Sequence, residues 1–351
     1  MKLIELENEE TFEKLQEPAK CIKNGGLVVF PTETVYGIGA DALNENAVSN
    51  IFKAKGRPND NPLIVHICNF EMLNELVEKI NSTEEKLIDN FWPGPLTVIL
   101  PKRDILPDNV TCGLDTVGIR MPQSKVALKL IELAKTPIAA PSANVSGRPS
   151  GTEISDIYLE LNEKVDYMID GLPSAIGVES TVVKVVDDEV LILRPGKISP
   201  EDIQKIGLKV KLDKHLFESV NADEKVESPG MKHRHYAPST KTLLIDSLDS
   251  IKVRDKVIEI IAENVEKKVA VISYDGNEKL YEDINVKFLS FGNINDLNTV
   301  SKNVFTTLRK VDELDVDICV IQGVEKKELG IAIMNRLIRA CEHNVINLGN
   351  I

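Results

Sequence analysis

The sequence predicts an α/β fold in two parts, a mixed sheet followed by a smaller parallel sheet. Strand-sized apolar runs alternate with helical patterns up to about residue 208, a polar aperiodic stretch follows, and regular βα alternation begins at Lys241. A chain of 351 residues is long for one core, since a domain takes roughly 150 residues. We therefore predict domains over 1–208 and 241–351, joined by a linker over 209–240.

The N-terminal part alternates short apolar runs with helical patterns. The predicted strands are 27–30, 63–67, 96–100, 117–120, 138–140, 167–169 and 181–186, and the predicted helices are 9–23, 46–54, 70–79, 83–90, 124–134 and 153–161. Asp187 and Asp188 separate two β-rich runs and predict a hairpin. Because a hairpin joins antiparallel strands, the sheet must be mixed.

The C-terminal part has the regular spacing of a small three-layer, Rossmann-like domain. The predicted strands are 242–245, 269–274, 286–291 and 318–322, and the predicted helices lie near 249–267, 295–314 and 328–343. No G-x-G-x-x-G turn follows the first strand, so a dinucleotide site is not predicted.

Composition limits the partners. The net charge of −13 is opposite to that of a protein that coats nucleic acid, so a bound anion needs a local cluster of cations. No apolar run reaches the roughly 20 residues of a membrane span, and the acidic start is no signal peptide. Five cysteines without C-x-x-C spacing argue against disulfides and metal motifs. We expect a cytoplasmic protein with no membrane partner.

Two segments place polar groups where an apolar element ends. The strand at 27–30 is followed, up to Asp41, by a segment with threonine hydroxyl groups and glycines. Such a segment indicates either a ligand-binding site or a tight turn. Lys53, Lys55 and Arg57 follow at the end of a helix. They could complement the helix dipole or neutralise a polyphosphate, and Arg57 projects from an extended backbone before Pro58.

Three further segments have similar alternatives. Thr116 and Arg120 share one strand face, which indicates carboxylate or phosphate recognition or else a surface salt bridge. The serine-rich stretch 140–151 precedes a helix, so it predicts an anion site or N-capping by Ser150 or Thr152. His66 ends a strand and is more often a core histidine than a ligand.

The remaining motif signals are weak or absent. His233 and His235 are spaced for a metal, but no carboxylate or thiol lies nearby in the sequence to complete a site. The chain has neither a Walker P-loop nor a G-x-S-x-G or H-E-x-x-H motif. The residues alone therefore indicate an enzyme or a binding protein for a phosphorylated ligand.

Taken together, the motifs are much more specific. In chain order they are 31–37 (PTETVYG), Lys55-x-Arg57-Pro58, 61–66 (NPLIVH), 92–97 (WPGPLT), 120–122 (RMP), 140–144 (APSAN) and 179–181 (EST). This set closely resembles the YrdC-type threonylcarbamoyl-AMP synthases. The stretches 228–238 and 330–337 resemble the long, two-domain form of that family, so the resemblance spans nearly the whole chain.

The resemblance implies a fold and a reaction. The first domain would be a twisted, open YrdC-like sheet with a concave, locally positive face. The enzyme, a nucleotidyltransferase, would make L-threonylcarbamoyladenylate from L-threonine, bicarbonate and ATP with release of pyrophosphate. The product would feed the threonylcarbamoyladenosine modification of tRNA beside the anticodon, through a downstream transferase complex. Direct tRNA contact would be weak, and Mg²⁺ would accompany ATP without a protein ligand that the sequence identifies.

The resemblance also implies roles for individual residues. L-Threonine would be held by Thr34, His66, Arg120, Ala140 and Ser180. ATP would be held by Lys55, Arg57, Asn61, Thr116, Ser142, Ser150, Arg194 and Tyr236. Lys55 and Arg57 would be the catalytic cations. The linker is interpreted from its own residues: prolines at both ends of 229–238 and cations and a ring between them indicate that 209–240 is a lid that excludes water from the adenylate, or else a strip that docks the two domains together.

Two other functions are compatible with a positive concave face. The chain could be an RNA-binding module without catalysis. It could also be a carbamoyltransferase acting on carbamoyl phosphate, although that class needs zinc-finger-like cysteine spacings that this sequence lacks.

Overall fold

The computed structural model describes residues 1–171, 174–218, 227–229 and 234–349. The chain divides into two compact units. The first comprises Met1–Ser146 and Ser150–Lys232, and the second comprises Gly147–Pro149 and His233–Ile351. The boundaries predicted from the sequence, 1–208, 209–240 and 241–351, stay a prediction.

The first unit contains eleven strands and eight helices among its described residues. The strands are β1 (Lys2–Glu5), β2 (Val28–Phe30), β3 (Gly37–Asp41), β4 (Ile64–His66), β5 (Leu96–Pro101), β6 (Thr116–Arg120), β7 (Ile138–Ala139), β8 (Tyr167–Asp170), β9 (Thr181–Val186), β10 (Glu189–Arg194) and β11 (Val210–Leu212). The helices are α1 (Gln16–Lys23), α2 (Glu45–Lys55), α3 (Phe70–Leu76), α4 (Ser82–Phe91), α5 (Asp108–Thr111), α6 (Lys125–Ala134), α7 (Ile154–Leu161) and α8 (Pro200–Lys205), with 3-10 turns at Glu9–Leu15 and Lys214–Leu216.

The strands of the first unit form one mixed sheet, as predicted. Their order is β1-β8-β2-β3-β7-β4-β6-β5-β9-β10-β11. The hairpin at Asp187 and Asp188 is confirmed, since β9 and β10 pair antiparallel and both aspartates have positive φ. Strand β3 was not predicted, because its sequence Gly-Ile-Gly-Ala-Asp resembles a turn, yet it pairs with both β2 and β7.

Alternation along the strands separates two faces of this sheet. Val65, Val98, Val117 and Ile119 belong to a large apolar core on one face. On the other face, Ile64, Ile99, Val182 and Leu193 form a small apolar cluster of their own. We call this second face, over β4, β5, β6 and β9, the ligand face.

The second unit is a parallel α/β sandwich, as predicted. Its strands are β12 (Lys241–Asp246), β13 (Val269–Ser273), β14 (Val286–Ser290), β15 (Ile318–Gln322) and β16 (Val345–Asn347), in the order β14-β13-β15-β12-β16. The helices are α9 (Ser250–Glu263), α10 (Leu297–Val311) and α11 (Leu329–Ala340), with a 3-10 turn at Asn277–Tyr281. The short strand β16 was not predicted.

One predicted helix is divided. The pattern over 9–23 becomes a 3-10 turn at Glu9–Leu15 followed by α1. Pro18 explains the break, because a proline has no N–H to donate and its ring clashes with the preceding turn of an α-helix. In the first turn of α1 the proline is tolerated.

Candidate active site

Strand β6 presents its polar side chains on the ligand face. Val117 and Ile119 lie in the core, so Thr116, Gly118 and Arg120 point the other way, as the sequence predicts. A Cβ on Gly118 would lie 3.2 Å from the Thr97 side chain, which shows how closely β5 and β6 approach here. Thr116 and Arg120 are about 13 Å apart along the strand, enough for an elongated ligand.

Arg120 is the most constrained cation of this face. It is 4% exposed and donates from Nε to the Gly94 carbonyl at 3.2 Å, from one terminal nitrogen to Thr34 Oγ1 at 3.0 Å and from the other to Glu33 Oε1 at 2.5 Å. The Glu33 carboxylate also accepts the Ser124 N–H at 3.3 Å. The alternative of a surface salt bridge is therefore wrong, because the pair is buried.

His66 lies beside Arg120. Strands β4 and β6 are parallel, and their register pairs the two residues. The imidazole is 4% exposed and meets the Phe30 ring edge-on at 6.3 Å. Burial, and then the positive charge of Arg120, lower the pKa of His66 to about 3. The side chain is therefore neutral at physiological pH.

Ser180 and Ala140 come from two other strands. The Ser180 hydroxyl lies 2.8 Å from that of Thr97 and accepts from Arg194 at 3.0 Å. The Ala140 N–H donates to the Ile64 carbonyl at 3.0 Å, because β7 runs antiparallel to β4 and Ala140 lies beside the start of β4. His66, Arg120 and Ser180 therefore lie where β4 and β6 end and β9 begins, Thr34 joins them through its bond to Arg120, and Ala140 lies two residues back along β4.

Lys55 is the last residue of α2, Arg57 follows it by two positions, and both contact loops. Lys55 is 3% exposed, and its ammonium donates to the carbonyls of Ser142 at 2.6 Å and Asn144 at 2.5 Å. Arg57 donates to the Asn61 carbonyl at 3.2 Å. From the last turn of α2, the Lys55 ammonium thus reaches the loop that contains Ser142 and Asn144.

Asn61 is the most informative polar residue of the site. Its side chain is fully buried, and neither amide atom has a hydrogen-bond partner within the part of the chain that the structure describes. Burying an unpaired amide is costly, so proteins rarely keep one without a use. A ligand that both donates and accepts hydrogen bonds would satisfy it.

The remaining predicted ATP residues lie at the edges of the site. Ser142 donates to Asn144 Oδ1 at 2.6 Å, and Ser150 donates to Glu179 at 2.6 Å. N-capping by Ser150 or Thr152 is wrong, because the N-cap residue of α7 is Glu153. Thr116 approaches Glu227 Oε1 at 3.5 Å, and the same oxygen accepts from Lys184 at 2.6 Å.

Tyr236 belongs to the second unit. Its ring is 4% exposed, packs at 5.1 Å from the Phe305 ring and lies under the Arg336 guanidinium at 5.5 Å. Its role in ATP binding stays a prediction. So does the lid over 209–240, because 219–226 and 230–233 lie outside the described residues.

The described residues lack three features that are typical of other classes of protein. Over those residues, no group of three or more His, Cys, Asp or Glu side chains is arranged to hold a metal ion. The same part of the chain contains no helix with the length and hydropathy of a bilayer span. All five cysteines are described, and no disulfide joins them.

The structure adds partners that the sequence did not single out. Glu33 pairs with Arg120, Thr97 meets Ser180, and Glu179 accepts from Ser150. Glu33, Thr97 and Glu179 all lie inside the motifs quoted above. The sequence therefore identified their segments but not their roles. Glu227 lies in the aperiodic linker, where no sequence pattern marks it.

Two family models together match most of the chain. The Sua5/YciO/YrdC model, described as "Telomere recombination", matches residues 20–196. A second model, described as "Threonylcarbamoyl-AMP synthase, C-terminal domain", matches residues 198–341. The fold and site thus define an α/β enzyme of the Sua5/YrdC class.

Similar proteins narrow this class. The threonylcarbamoyl-AMP synthase of Pyrococcus abyssi is 45% identical over 95% of this chain and 96% of its own length. That of Bacillus subtilis is 40% identical over 95% and 94%. The crystal structure of P. abyssi Sua5 complexed with L-threonine is 42% identical, covers 99% of both chains and superposes with a TM-score of 0.89.

The chain belongs to the two-domain threonylcarbamoyl-AMP synthase family and is an enzyme of the nucleotidyltransferase type. The comparisons support this function over the noncatalytic RNA-binding module.

Proposed function

We propose that the ligand face joins L-threonine, bicarbonate and ATP into L-threonylcarbamoyladenylate and releases pyrophosphate. The threonine amine and bicarbonate form a carbamate with loss of water. A carbamate oxygen then attacks the α-phosphorus of ATP, and pyrophosphate leaves. Little proton transfer is needed at this second step, so positioning and charge neutralisation supply the catalysis.

The hydrogen bonds of Arg120 carry this proposal. A guanidinium has five N–H groups, and Arg120 uses three of them for Gly94, Thr34 and Glu33. One N–H remains on each terminal nitrogen. One N–H on each terminal nitrogen can donate to one of the two oxygens of a carboxylate, which supports binding of the threonine carboxylate at this position.

Neutral groups would bind the rest of threonine. His66 is uncharged at physiological pH, so it does not compete with Arg120 for the carboxylate. The Ala140 N–H is occupied by Ile64, which leaves the Ala140 carbonyl as its backbone group for a ligand. A carbonyl suits a donor such as the threonine amine. Thr34 and Ser180 would supply hydroxyl groups.

The cations around Asn61 would bind ATP. Lys55 and Arg57 would neutralise charge that develops on the phosphates during transfer, and Asn61 would use its unpartnered amide on the nucleotide. Thr116, Ser142, Ser150 and Arg194 would complete the set. These buried cations offset locally a net charge of −13.

Magnesium would enter as part of the ATP substrate. The described residues contain no cluster of three His, Cys, Asp or Glu side chains that could hold the ion by themselves. Mg²⁺ commonly keeps several waters and binds substrate phosphates, which is consistent with such a site. The protein groups described above act on the triphosphate.

We also propose the cellular setting. The product would pass to a downstream transferase complex that modifies tRNA, and direct tRNA binding would be weak because the chain is acidic overall. Five cysteines without a disulfide support a cytoplasmic location.

The test is threonine-dependent pyrophosphate release and direct detection of the adenylate, for the parent and Arg120→Lys. A lysine offers a point charge and cannot reproduce the N–H groups of two terminal nitrogens, so the KM for threonine should rise at least tenfold. Arg103→Lys is the matched control, since Arg103 donates to the backbone carbonyls of Asn74 and Val77. Equal KM values for threonine in the parent and Arg120→Lys would remove Arg120 from the site. A parent that makes no adenylate would refute the function.

A further inference from the structure

Thr97 and Ser180 form a pair of fully buried hydroxyl groups on the ligand face. Their oxygens are 2.8 Å apart, and Arg194 donates to Ser180 Oγ at 3.0 Å. Within the described residues, Ser180 is the hydrogen-bond partner of the Thr97 hydroxyl. The functions proposed above use Ser180 and Arg194 but leave Thr97 without a role.

The direction of the hydroxyl–hydroxyl bond follows from proton counting together with the proposed place of threonine. The Arg194 guanidinium only donates, so Ser180 Oγ already accepts one bond. Either direction of the bond leaves one of the two buried hydroxyl protons without an acceptor among the residues that the structure describes. Leaving a buried donor unpaired is costly, and the proposed function places threonine beside Ser180, where a remaining Ser180 proton would find an acceptor, so we take Thr97 as the donor.

This assignment fixes what Ser180 can do. Its oxygen accepts from Thr97 and from Arg194, which occupies both lone pairs. The Ser180 proton is then the group that remains for another partner. Ser180 therefore faces a ligand as a hydrogen-bond donor, and the ligand atom that it meets must be an acceptor oxygen.

The position of Thr97 suits this role. Thr97 lies on β5, paired with Val182 of β9, next to the Val98–Ile119 pair that precedes Arg120. Its methyl group packs over Gly118, where an added Cβ would lie 3.2 Å away. A β-branched side chain held in this way keeps one rotamer, so its hydroxyl points steadily at Ser180.

We propose that Thr97 is a positioning residue that turns the Ser180 hydroxyl into a donor for an oxygen of the threonine substrate. This inference rests on the proposed function, in which Ser180 contacts threonine. Thr97 should therefore affect the affinity for threonine and leave the affinity for ATP unchanged.

The experiment compares threonine and ATP-analogue binding by calorimetry in full-length Thr97→Val, Thr97→Ser and the parent. Valine keeps the shape but removes the donor, so the Kd for threonine should rise about fivefold, which is the value of one hydrogen bond. The Kd for a non-hydrolysable ATP analogue should not change. Thr97→Ser should restore threonine binding, because it restores the hydroxyl.

Thr242→Val is the control for losing a buried hydroxyl, since Thr242 donates to the Ala340 carbonyl in the second unit. It should bind threonine as the parent does. The inference is overturned if Thr97→Val binds threonine like the parent, if both affinities fall together, or if serine does not restore binding.

Ser180→Ala separates this inference from the proposed function. Weak threonine binding in Ser180→Ala with normal binding in Thr97→Val would refute the role of Thr97 and leave the proposed function intact. Normal threonine binding in Ser180→Ala would refute the assignment of Ser180 itself, and with it the inference.

Discussion

The two units each bury polar side chains at strand ends, but they differ in whether those groups are satisfied. In the second unit, the Gln322 oxygen accepts from Ser273 at 2.5 Å and Asn277 at 3.3 Å, and its nitrogen donates to Ser250 at 3.2 Å. We call these four residues the second-unit network. In the first unit, the amide of Asn61, in the loop between α2 and β4, has no partner among the described residues.

This difference teaches that polar residues at the carboxyl ends of strands do not by themselves mark a ligand site. That edge is where open α/β sheets usually bind ligands, so position alone favours the second-unit network. Its side chains satisfy one another, whereas Asn61 and two N–H groups of Arg120 are left over. Buried groups without a partner cost stability, but they also occur elsewhere among the described residues, as at the Tyr281 hydroxyl of the second unit, so it is their place among the motif residues that sets the first-unit cluster apart.

The largest effect is expected from a cation of the first unit. Arg57→Ala should lower turnover by about 10²-fold or more, because it removes charge that stabilises the transferring phosphate. Steady-state pyrophosphate release measures this, with Arg254→Ala in the second unit as the control. Near-normal turnover in Arg57→Ala would place Arg57 outside the reaction.

The next prediction replaces the unpartnered amide of Asn61 by a leucine side chain. Asn61→Leu removes a buried amide that has no partner in the described part of the chain, so the melting temperature should stay the same or rise. The KM for ATP should rise about tenfold, as a lost pair of hydrogen bonds implies. Thermal unfolding and ATP titrations measure the two effects. A lower melting temperature with unchanged KM would mean that Asn61 is structural.

The matched substitution in the second unit should behave in the opposite way. Gln322→Leu leaves Ser273, Asn277 and Ser250 without their shared partner, so the free energy of unfolding should fall by about 1–3 kcal/mol. Turnover per folded molecule should not change. Denaturant unfolding and activity at 25 °C check this. Loss of activity without loss of stability would make the second-unit network functional.

The last prediction concerns His66, which the first unit buries in its neutral form. Its folded-state pKa of about 3 lies below the ordinary value of 6.5, so between these values the unfolded chain binds the extra proton. Stability should therefore fall as the pH drops below about 6.5, by on the order of 1 kcal/mol per pH unit. His66→Asn should flatten this slope in denaturant unfolding from pH 7 to pH 4. Parallel slopes would show that His66 is protonated in the folded state.

Sequence patterns predicted much of the fold because period-two runs and βα spacing are local. The mixed sheet with its hairpin and the parallel second sheet follow from them. Strand β3 was missed because two glycines in five residues favour a turn, and pairing on both sides outweighs that preference.

The sequence predicted which segments contribute to the candidate site, but not the hydrogen-bond partners of their residues. The face of β6 follows from alternation, and the motifs supplied the residues around it. The partners of those residues depend on strand register and loop position, which no local pattern contains. Thr97 and Ser180 are 83 positions apart and meet because β5 pairs with β9. Likewise, the tertiary structure determines that the Gln322 amide has hydrogen-bond partners and that the Asn61 amide has none among the described residues.

The central claim is that the unsatisfied groups of the first unit bind the substrates. A crystal structure of the full chain with L-threonine and a non-hydrolysable ATP analogue tests it most directly. The account predicts the threonine carboxylate on the two remaining N–H groups of Arg120, and the nucleotide within hydrogen-bond distance of the Asn61 amide. Threonine bound away from Arg120, or a nucleotide seated at the second-unit network, would contradict it.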